Sequence, residues 1–386
     1  MLLEQLRLTN LLSFGPNGMS LKLQGLNVLI GPNGSGKSNL IEAVSLLKSA
    51  ATLLAAPVKD GGGIHDWLYK GRQNPVAALE AVVSNPHGRQ SLRHVMSFTE
   101  SMKRFELVDE RVENEKPYEG QDGVYFYYRY QKNQPVLNVK GKKRVLLREN
   151  IDPEQSILSQ RKDPDQYPEI SYLGLEYAKI RIYREWGLGR YTAPRLPQPA
   201  DRRNDFLEED CENLGMVLNR LRGNPSVKKT ILDGLKRLYD GIDDFEVNVV
   251  GGTVQVSVHE GKFAIPATRL SDGTLRYLCL LAILCDPSPP PLICIEEPEL
   301  GLHPDALTGV ADLLKIAAER TQIIVTTHSE ILVDEMTDCP ESVIVCSKTE
   351  GATEMKRLEK KQLEGFLDAY RLGKRWMQGQ VGGVRW

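Results

Sequence analysis

The chain has 386 residues, enough for one large domain or two ordinary ones around a substantial hydrophobic core. Its 49 basic and 51 acidic side chains give a formal net charge of −2, so any contact with nucleic acid must come from a local basic patch. The six cysteines form no C-x-x-C pair and no apolar run approaches 18 residues, so we expect reduced, mostly buried thiols, no membrane span and a cytoplasmic protein.

A glycine-rich motif, Gly-Pro-Asn-Gly-Ser-Gly-Lys-Ser, occupies Gly31–Ser38. It follows the apolar run Leu26–Ile30, and apolar residues recur at helical spacing over 39–48, which predicts the strand, turn and helix of a P-loop. In such a loop the backbone N–H groups and the helix N-terminus bind phosphate oxygens, Lys37 reaches the β- and γ-phosphates, and the Ser38 hydroxyl binds Mg²⁺. The predicted nucleotide-binding residues are Asn33, Gly34, Ser35, Gly36, Lys37, Ser38 and Asn39.

Alternating apolar and polar residues predict strands on both sides of this motif. Leu2–Leu8 and 19–23 precede it, and five strand-like runs separated by turn residues fill 77–140, which predicts an antiparallel meander. Two aromatic features of this part have open alternatives. Phe14 would either rest against a purine or pack in the core. A group of strand tyrosines would either stack nucleic-acid bases or lie half-buried: Tyr125, Tyr127, Tyr128 and Tyr130.

The middle of the chain has less distinctive patterns. Residues 192–199 are rich in proline, and Phe206–Arg222 and Val227–Tyr239 predict two amphipathic helices. No heptad pattern is sustained, so we expect a compact lid lobe and not a coiled-coil arm. Four arginines within or beside the proline-rich passage would contact DNA if the protein acted on duplex ends: Arg190, Arg195, Arg202 and Arg203.

Regular alternation of strands and helices follows a predicted hairpin over 245–259. Helices are predicted over Gly273–Leu284 and Pro304–Arg320. The predicted strands of this part are Leu292–Ile295, Gln322–Thr326 and Ser342–Ser347. This order is typical of a parallel sheet flanked by helices, so the predicted fold class is α/β, with a mixed sheet, an antiparallel β-subdomain and an inserted α/β lid lobe.

Two of these strands end in polar residues. Glu296 and Glu297 end the first one, at a sheet edge where ligands bind in α/β proteins. Glu296 would hold Mg²⁺ through water, and Glu297 would orient or deprotonate an attacking water, although adjacent acids could instead cap the next helix. His328 follows the second strand and would contact a γ-phosphate, or would serve only in packing.

A third motif, Ser271-Asp272-Gly273, opens the helix that precedes the acidic strand. Its free N–H groups and the Ser271 hydroxyl would form a second anion-binding helix terminus. Taken alone the motif is an ordinary N-cap.

Four motifs in this order resemble those of an ABC-type ATPase of the RecF/SMC/OLD class: Gly31–Ser38, Leu270–Thr274, Ile293–Glu299 and Thr326–Ser329. Residues 296–304 resemble its stand-alone "AAA family ATPase" branch, and the resemblance covers about half of the chain. It implies a P-loop ABC-type head with ATP and Mg²⁺ as cofactors. Ser38 and Glu296 would be the metal-binding residues, and Lys37, Glu297 and His328 the catalytic ones.

The resemblance also implies a dimer. In that architecture Ser271, Asp272 and Gly273 act in trans, on ATP held by the P-loop of another protomer, and residues 301–303 form an interface loop. The implied assembly is a homodimer or a higher assembly. Three features depart from the family pattern: Glu296 replaces an aspartate, no coiled-coil arm is present, and no TOPRIM-type nuclease region follows His328. The family's Q-loop glutamine has no certain counterpart, and Gln90 is one candidate among several.

The sequence divides into four predicted parts. They are 1–84 with the P-loop, 85–244 as inserted meander and helical lid lobe, 245–350 as the second part of the head, and 351–386 as a tail. From Met355 onward the tail has eight basic and three acidic residues, and it carries Trp376 and Trp386. Exposed tryptophans would make the tail a docking element for a partner, whereas a solvated, frayed helix is the alternative.

The resulting functional prediction is an ATP hydrolase that dimerises around ATP and switches a separate effector protein. Many members of the resembled branch are similar to anti-phage defence ATPases that act beside a nuclease or TOPRIM-like protein. The alternatives are an assembly scaffold with little turnover and a DNA-repair ATPase that binds DNA itself.

Overall fold

The computed structural model describes residues 1–131, 134–139, 142–145, 151–363 and 371–382. Its central layer is a six-stranded sheet in which the first five strands are parallel and the last is antiparallel. In sheet order the strands are β10 (Arg181–Tyr183), β15 (Leu292–Glu296), β16 (Gln322–Thr326), β3 (Leu26–Ile30), β17 (Val343–Thr349) and β18 (Ala352–Arg357).

An antiparallel sheet of eight strands forms a second layer. Its strands, in order, are β2 (Met19–Lys22), β1 (Leu3–Thr9), β4 (Ala77–Val83), β5 (Leu92–Ser101), β6 (Arg104–Asn114), β7 (Phe126–Gln131), β8 (Gln134–Val139) and β9 (Lys142–Val145). A small third sheet contains β11 (Gln198–Pro199), β13 (Thr253–Glu260), β12 (Asp244–Val250) and β14 (Phe263–Pro266).

Helices cover both faces of the central sheet. In chain order, the helices of the described ranges are α1 (Lys37–Ala50), α2 (Ala56–Asp60), α3 (Ile64–Trp67), α4 (Ile157–Gln160), α5 (Pro168–Ala178), α6 (Leu214–Arg222), α7 (Pro225–Leu238), α8 (Asp272–Leu284), α9 (Pro304–Ala318), α10 (Glu330–Asp334), α11 (Lys360–Leu363) and α12 (Leu372–Met377). None of the helices within the described ranges has both the length and the apolar character needed to cross a bilayer.

The central sheet separates two hydrophobic cores. Leu29 of β3 faces a core built with α1, α5 and the antiparallel sheet. Its neighbours Val28 and Ile30 face the other core, with α8 and α9. Because side chains alternate along a strand, β3 is buried at every position, and Asn27 is the one polar residue in it.

The predicted meander is present, but it does not belong to a separate insertion. Strand β4 pairs with β5 over seven residues, and β1 pairs with β4, so the predicted boundary between residues 84 and 85 falls inside one continuous sheet. Helices α6 and α7, from the other end of the 85–244 segment, pack on α8 instead. The segment therefore contributes to both cores and does not form one lid lobe.

The helix predicted over Phe206–Arg222 was too long, because only Leu214–Arg222 is helical. The buried side chain of Asn213 explains the late start. Its Oδ1 accepts a hydrogen bond from Glu208 N, and its Nδ2 donates to Phe206 O, which holds the preceding residues in a non-helical loop.

The prediction of an exposed tail was wrong in its described part. Residues Ala352–Arg357 form β18, which pairs with β17, and α12 packs against α10 of the same chain. Trp376 is only 4% exposed, since Leu372 and Trp376 lie one helical turn apart and turn the same face of α12 inward. Trp386 lies outside the described residues, so its predicted docking role stays a prediction.

Gln322 is a buried polar connection between the two large sheets. Its Oε1 accepts hydrogen bonds from Leu2 N at 3.2 Å and Leu3 N at 2.8 Å, and its Nε2 donates to Leu3 O at 2.7 Å. The side chain is fully buried, so water cannot take its place as the hydrogen-bond partner of these backbone groups.

We expect Gln322→Leu to lower the free energy of unfolding by about 2 kcal/mol or more, because it leaves buried backbone groups without partners. Chemical denaturation of this variant measures the loss, with the exposed Gln121→Leu as matched control. Equal stability of the two variants would show that Gln322 does not connect the sheets.

Candidate functional site

The P-loop curves over the end of β3. Gly34 and Gly36 have φ angles of +76° and +98°, a region that glycine adopts without strain. Lys37 begins α1 and is 6% exposed, and its Nζ donates to Gly31 O at 2.7 Å and Pro32 O at 3.1 Å.

Burial holds the pKa of Lys37 below its usual value, while the carboxylates of Glu297, Glu299 and Glu296 act in the opposite direction. The ammonium group is therefore held by the loop itself, within the field of the acidic strand.

A chain of hydroxyl contacts supports the P-loop from the far end of the sequence. Thr353 of β18 donates to Ser35 O at 3.0 Å, and its Oγ1 lies 2.6 Å from Ser13 Oγ. Asn39 donates from Nδ2 to the same Ser13 hydroxyl at 2.7 Å. A Cβ on Gly36 would lie 2.3 Å from Thr353 Oγ1, so this glycine is required by close packing as well as by its φ angle.

This brace was missed by the sequence analysis. Thr353 was assigned to the tail, and Asn39 was expected to bind nucleotide directly. In the structure Asn39 contacts Ser13, while Ser35 has a buried Oγ without a hydrogen-bond partner among the described residues. Residues more than 300 positions apart in sequence meet here, and no local pattern signals such a contact.

The acidic strand end lies beside the P-loop, as predicted. Ser38 Oγ donates to Glu296 Oε2 at 3.3 Å. The other carboxylate oxygen, Oε1, is buried and, within the described ranges, has no hydrogen-bond partner, with only an ion-pair contact to Arg184 Nε at 3.5 Å. Burial raises the pKa of Glu296, and Arg184 opposes this effect.

Glu297 and His328 face each other across neighbouring strand ends. His328 Nε2 lies 3.8 Å from Glu297 Oε1, and Glu297 has a positive φ of 46°, a conformation that non-glycine residues seldom adopt. Burial and the charge of Lys37 both lower the pKa of His328, although Glu297 acts against them. At neutral pH the imidazole is therefore neutral and can donate or accept a hydrogen bond.

Glu299 orients this pair. Its Oε1 accepts hydrogen bonds from His328 N at 2.7 Å and from Thr327 Oγ1 at 2.8 Å. Glu299 ends the Ile293–Glu299 motif, and the sequence alone assigns it no role. In the structure it fixes the turn that presents the His328 side chain, so it is a positioning residue.

Arg184 and Trp186 are further site residues that the sequence did not reveal. Arg184 follows β10, the strand next to β15, and its guanidinium contacts both Glu296 and Glu42 of α1. Trp186 donates from Nε1 to Glu296 O at 3.4 Å and lies under the guanidinium of Arg276 in α8 at 5.3 Å. Only their position just after a short strand could have indicated them.

The Ser271 motif opens α8, as predicted. The Ser271 side chain caps the helix by accepting from Thr274 N at 3.0 Å. Gly273 packs tightly on the loop at Gly301, because a Cβ at residue 273 would lie 2.5 Å from Gly301 O. No hydrogen bond or ion pair in the described part of the chain joins Ser271–Gly273 to Gly31–Ser38. The Ser271 turn and the P-loop are thus not bonded to each other in the described part of the protomer.

Several alternatives from the sequence are contradicted by burial. Phe14 is fully buried, and Tyr128 and Tyr130 are 1% and 2% exposed, so these rings pack in the core and cannot stack bases. Gln90 lies between β4 and β5, where its Oε1 accepts from Lys116 N at 2.9 Å. Gln90 therefore belongs to a connection of the antiparallel sheet and has no observed contact with the P-loop or Glu296 among the described residues.

The residues present fit Mg²⁺ and a nucleotide triphosphate. Within the described ranges no three acidic, histidine or cysteine side chains cluster as metal ligands, so a protein-only metal cage is absent there. One hydroxyl, Ser38, and one carboxylate, Glu296, are the set that Mg²⁺ uses when phosphates and water complete its octahedron. The Ser35 hydroxyl, which has no hydrogen-bond partner among the described residues, and the backbone N–H groups of the curved loop are donors that can bind phosphate oxygens.

Thr353→Val tests the brace while preserving side-chain shape. Loss of one buried hydroxyl costs about 1–3 kcal/mol, so we expect the amides of residues 34–37 to exchange with solvent about ten times faster or more. Hydrogen–deuterium exchange measures this, and the exposed Thr349→Val is the matched control. Unchanged exchange in both variants would contradict a supporting role for Thr353.

Comparison with known proteins identifies the family. The family model described as "AAA domain, putative AbiEii toxin, Type IV TA system" matches residues 26–334. No curated protein matches the chain significantly in sequence.

Solved structures match over nearly the whole chain. An SmcHead bound to the C-winged helix domain of ScpA has 16% identity and a TM-score of 0.59, over 94% of this chain and 99% of that one. An Smc head from Pyrococcus furiosus, with an extended coiled coil and bound to the C-terminal domain of ScpA, has 14% identity and a TM-score of 0.59, over 96% and 99%. A head with coiled coil and joint from Pyrococcus yayanosii has 13% identity and a TM-score of 0.53, again over 96% and 99%.

At these identities the likeness to Smc heads shows the fold, which is the predicted α/β ABC-type head. The family and the fold together support ATP binding and hydrolysis. The chain therefore belongs to the AAA-domain family named above.

Proposed function

We propose that this protein hydrolyses ATP as a homodimer with two ATP molecules between the protomers, and that closure and opening of the dimer switch a separate effector protein. One observation carries the proposal. Lys37, Ser38, Glu296, Glu297 and His328 meet at one edge of the parallel sheet, whereas among the described residues no hydrogen bond or ion pair joins the Ser271 helix terminus to those side chains.

Each side chain at the edge has a chemical role that its surroundings support. Lys37 would exchange its carbonyl partners Gly31 and Pro32 for β- and γ-phosphate oxygens. Ser38 and Glu296 would hold Mg²⁺, which would supply positive charge to offset the negative charge of the phosphates. Glu297 would orient the attacking water and take its proton, and His328 would contact the γ-phosphate.

A cleft next to the P-loop brace offers space for the nucleoside. Its volume is about 890 Å³, and its lining includes Thr353, Gly15 and the half-buried ring of Tyr69. Thr353 belongs both to this lining and to the support of Ser35, so one residue links the cleft to the phosphate loop. An aromatic wall of this kind is suited to a purine ring.

The second anion site requires a second protomer. A helix N-terminus stabilises negative charge only within its first turn, so Ser271 must come very near the phosphate to act on it. A two-fold dimer would place the Ser271 turn of each protomer over the ATP held by the other, and would repeat the contact twice.

The effector is proposed to be a protein. The two Smc heads described above are bound to domains of ScpA, which supports the idea that a head of this fold receives a separate polypeptide. DNA binding through the arginine cluster is not supported, because Arg202 pairs with Glu208 and Arg203 pairs with Asp205. An anti-phage role beside a nuclease remains part of this proposal and needs the partner to be isolated.

Glu297→Gln is expected to bind ATP, to lose hydrolysis by about a hundredfold or more, and to accumulate as an ATP-bound dimer, because removal of the base stops the step that opens it. Sedimentation velocity with and without Mg–ATP measures the dimer, and phosphate release measures turnover. Lys37→Ala is the control and should remain monomeric at the same ATP concentration.

Retention of hydrolysis by Glu297→Gln would exclude its role as base. Equal ATP affinity of Lys37→Ala and the unaltered chain would exclude the P-loop as the nucleotide site. If Glu297→Gln sustains the effector's output in cells, ATP-driven assembly is the signal, and if the output is lost, turnover is required.

A further inference from the structure

Arg195 lies in the proline-rich passage, in a short 3₁₀ helix over Ala193–Arg195, yet its side chain is only 7% exposed. The guanidinium donates from Nε to Leu188 O at 2.8 Å, and from Nη1 to Ala267 O at 3.2 Å and to Leu270 O at 2.5 Å. Its Nη2 donates to the Asp272 carboxylate. The planar, forked donor set of arginine is thus used on four acceptors at once.

Three of these acceptors belong to the turn that leads into α8. Ala267 begins the 3₁₀ helix before it, Leu270 directly precedes the capping Ser271, and Asp272 is the first residue of α8. Charge-assisted hydrogen bonds are about twice as strong as neutral ones. If the buried guanidinium lost them, its charge would have neither hydrogen-bond partners nor water around it, which is energetically costly. Arg195 therefore fixes the position of the Ser271 turn relative to the rest of the protomer.

Arg195 also offsets a charge at this helix end. The Asp272 side chain is 74% exposed and stands in the first turn of α8, beside the N–H groups proposed to receive a phosphate. An unpaired carboxylate there would repel an anion, whereas the pair with Arg195 has no net charge. The turn is held on its other side by the close contact of Gly273 with Gly301 O.

We propose that Arg195 is a positioning residue that holds the Ser271 turn in the geometry needed to bind the γ-phosphate of ATP on the partner protomer. This inference rests on the proposed function. It replaces the earlier prediction that Arg195 belongs to a DNA-binding patch, which its burial contradicts. Because the role lies in the signature turn, loss of Arg195 affects dimer closure and leaves nucleotide binding at the P-loop of the same chain intact.

The test uses full-length Glu297→Gln as the parent chain, with Arg195→Met and Arg195→Lys added in turn. Two quantities are measured: the ATP dissociation constant at a protein concentration where the chain is monomeric, and the dimer dissociation constant in saturating Mg–ATP. Arg203→Met is the matched control, because Arg203 lies shortly after the same passage, is 68% exposed and forms a surface ion pair with Asp205.

For Arg195→Met we expect the ATP dissociation constant of the monomer to change less than about twofold and the dimer dissociation constant to rise about tenfold or more. Arg195→Lys keeps the charge but cannot span the four acceptors, so it should also weaken the dimer. The Arg203→Met control should match the parent. Dimers of both Arg195 variants as tight as the parent's would overturn the inference, and so would an equal loss of monomer ATP affinity.

A mixing experiment separates positioning in trans from general destabilisation. With Glu297 intact, an Arg195→Met chain is mixed with a Lys37→Ala chain, so that each mixed dimer contains one site with an unaltered P-loop and an unaltered partner Ser271 turn. Hydrolysis should exceed the sum of the separate variants, and no gain would refute the trans role. If the Glu297→Gln parent itself stays monomeric in ATP, the proposed function is wrong. If the parent dimerises and its Arg195 variants dimerise equally well, only the inference about Arg195 is wrong.

Discussion

The common edge of the parallel strands is the constraint on which the site depends. Strands β10, β15, β16 and β3 run in the same direction, so the residues that follow them meet at one end of the sheet. Each strand contributes one functional group there: Arg184, Glu296, His328 and the P-loop lysine Lys37. Burial of these strands in two cores keeps the edge rigid enough for groups from distant parts of the chain to act together.

The segment from Arg184 to Arg195 connects this edge with the second anion site. Arg184 and Trp186 contact Glu296 at one end, and Arg195 holds the Ser271 turn at the other. Trp186 also packs against Arg276 of α8. A change in the surroundings of Glu296 therefore has a short, packed route to the Ser271 helix terminus, and in the proposed dimer this route would couple the two halves.

The sequence predicted the groups whose chemistry is carried by a contiguous motif. Lys37 follows β3 through the glycine-rich loop, Glu296 ends β15, and His328 comes just after β16, so periodicity and spacing were sufficient to place them. Thr353 and Arg195 could not be found this way, because their partners are distant in sequence and only the folded backbone brings them together. The helix predicted from Phe206 failed for a related reason, since the buried Asn213 side chain competes with helical hydrogen bonds.

The central claim is that Lys37 of one protomer and Ser271 of its partner bind the same triphosphate. The structure of the Glu297→Gln protein with Mg–ATP tests this most directly. The account predicts a two-fold dimer in which the partner's Ser271 hydroxyl and the N–H groups of that turn lie within hydrogen-bonding distance of the γ-phosphate held by Lys37. An ATP-bound protein in which every Ser271 turn lies remote from every Lys37, in any assembly, would contradict it.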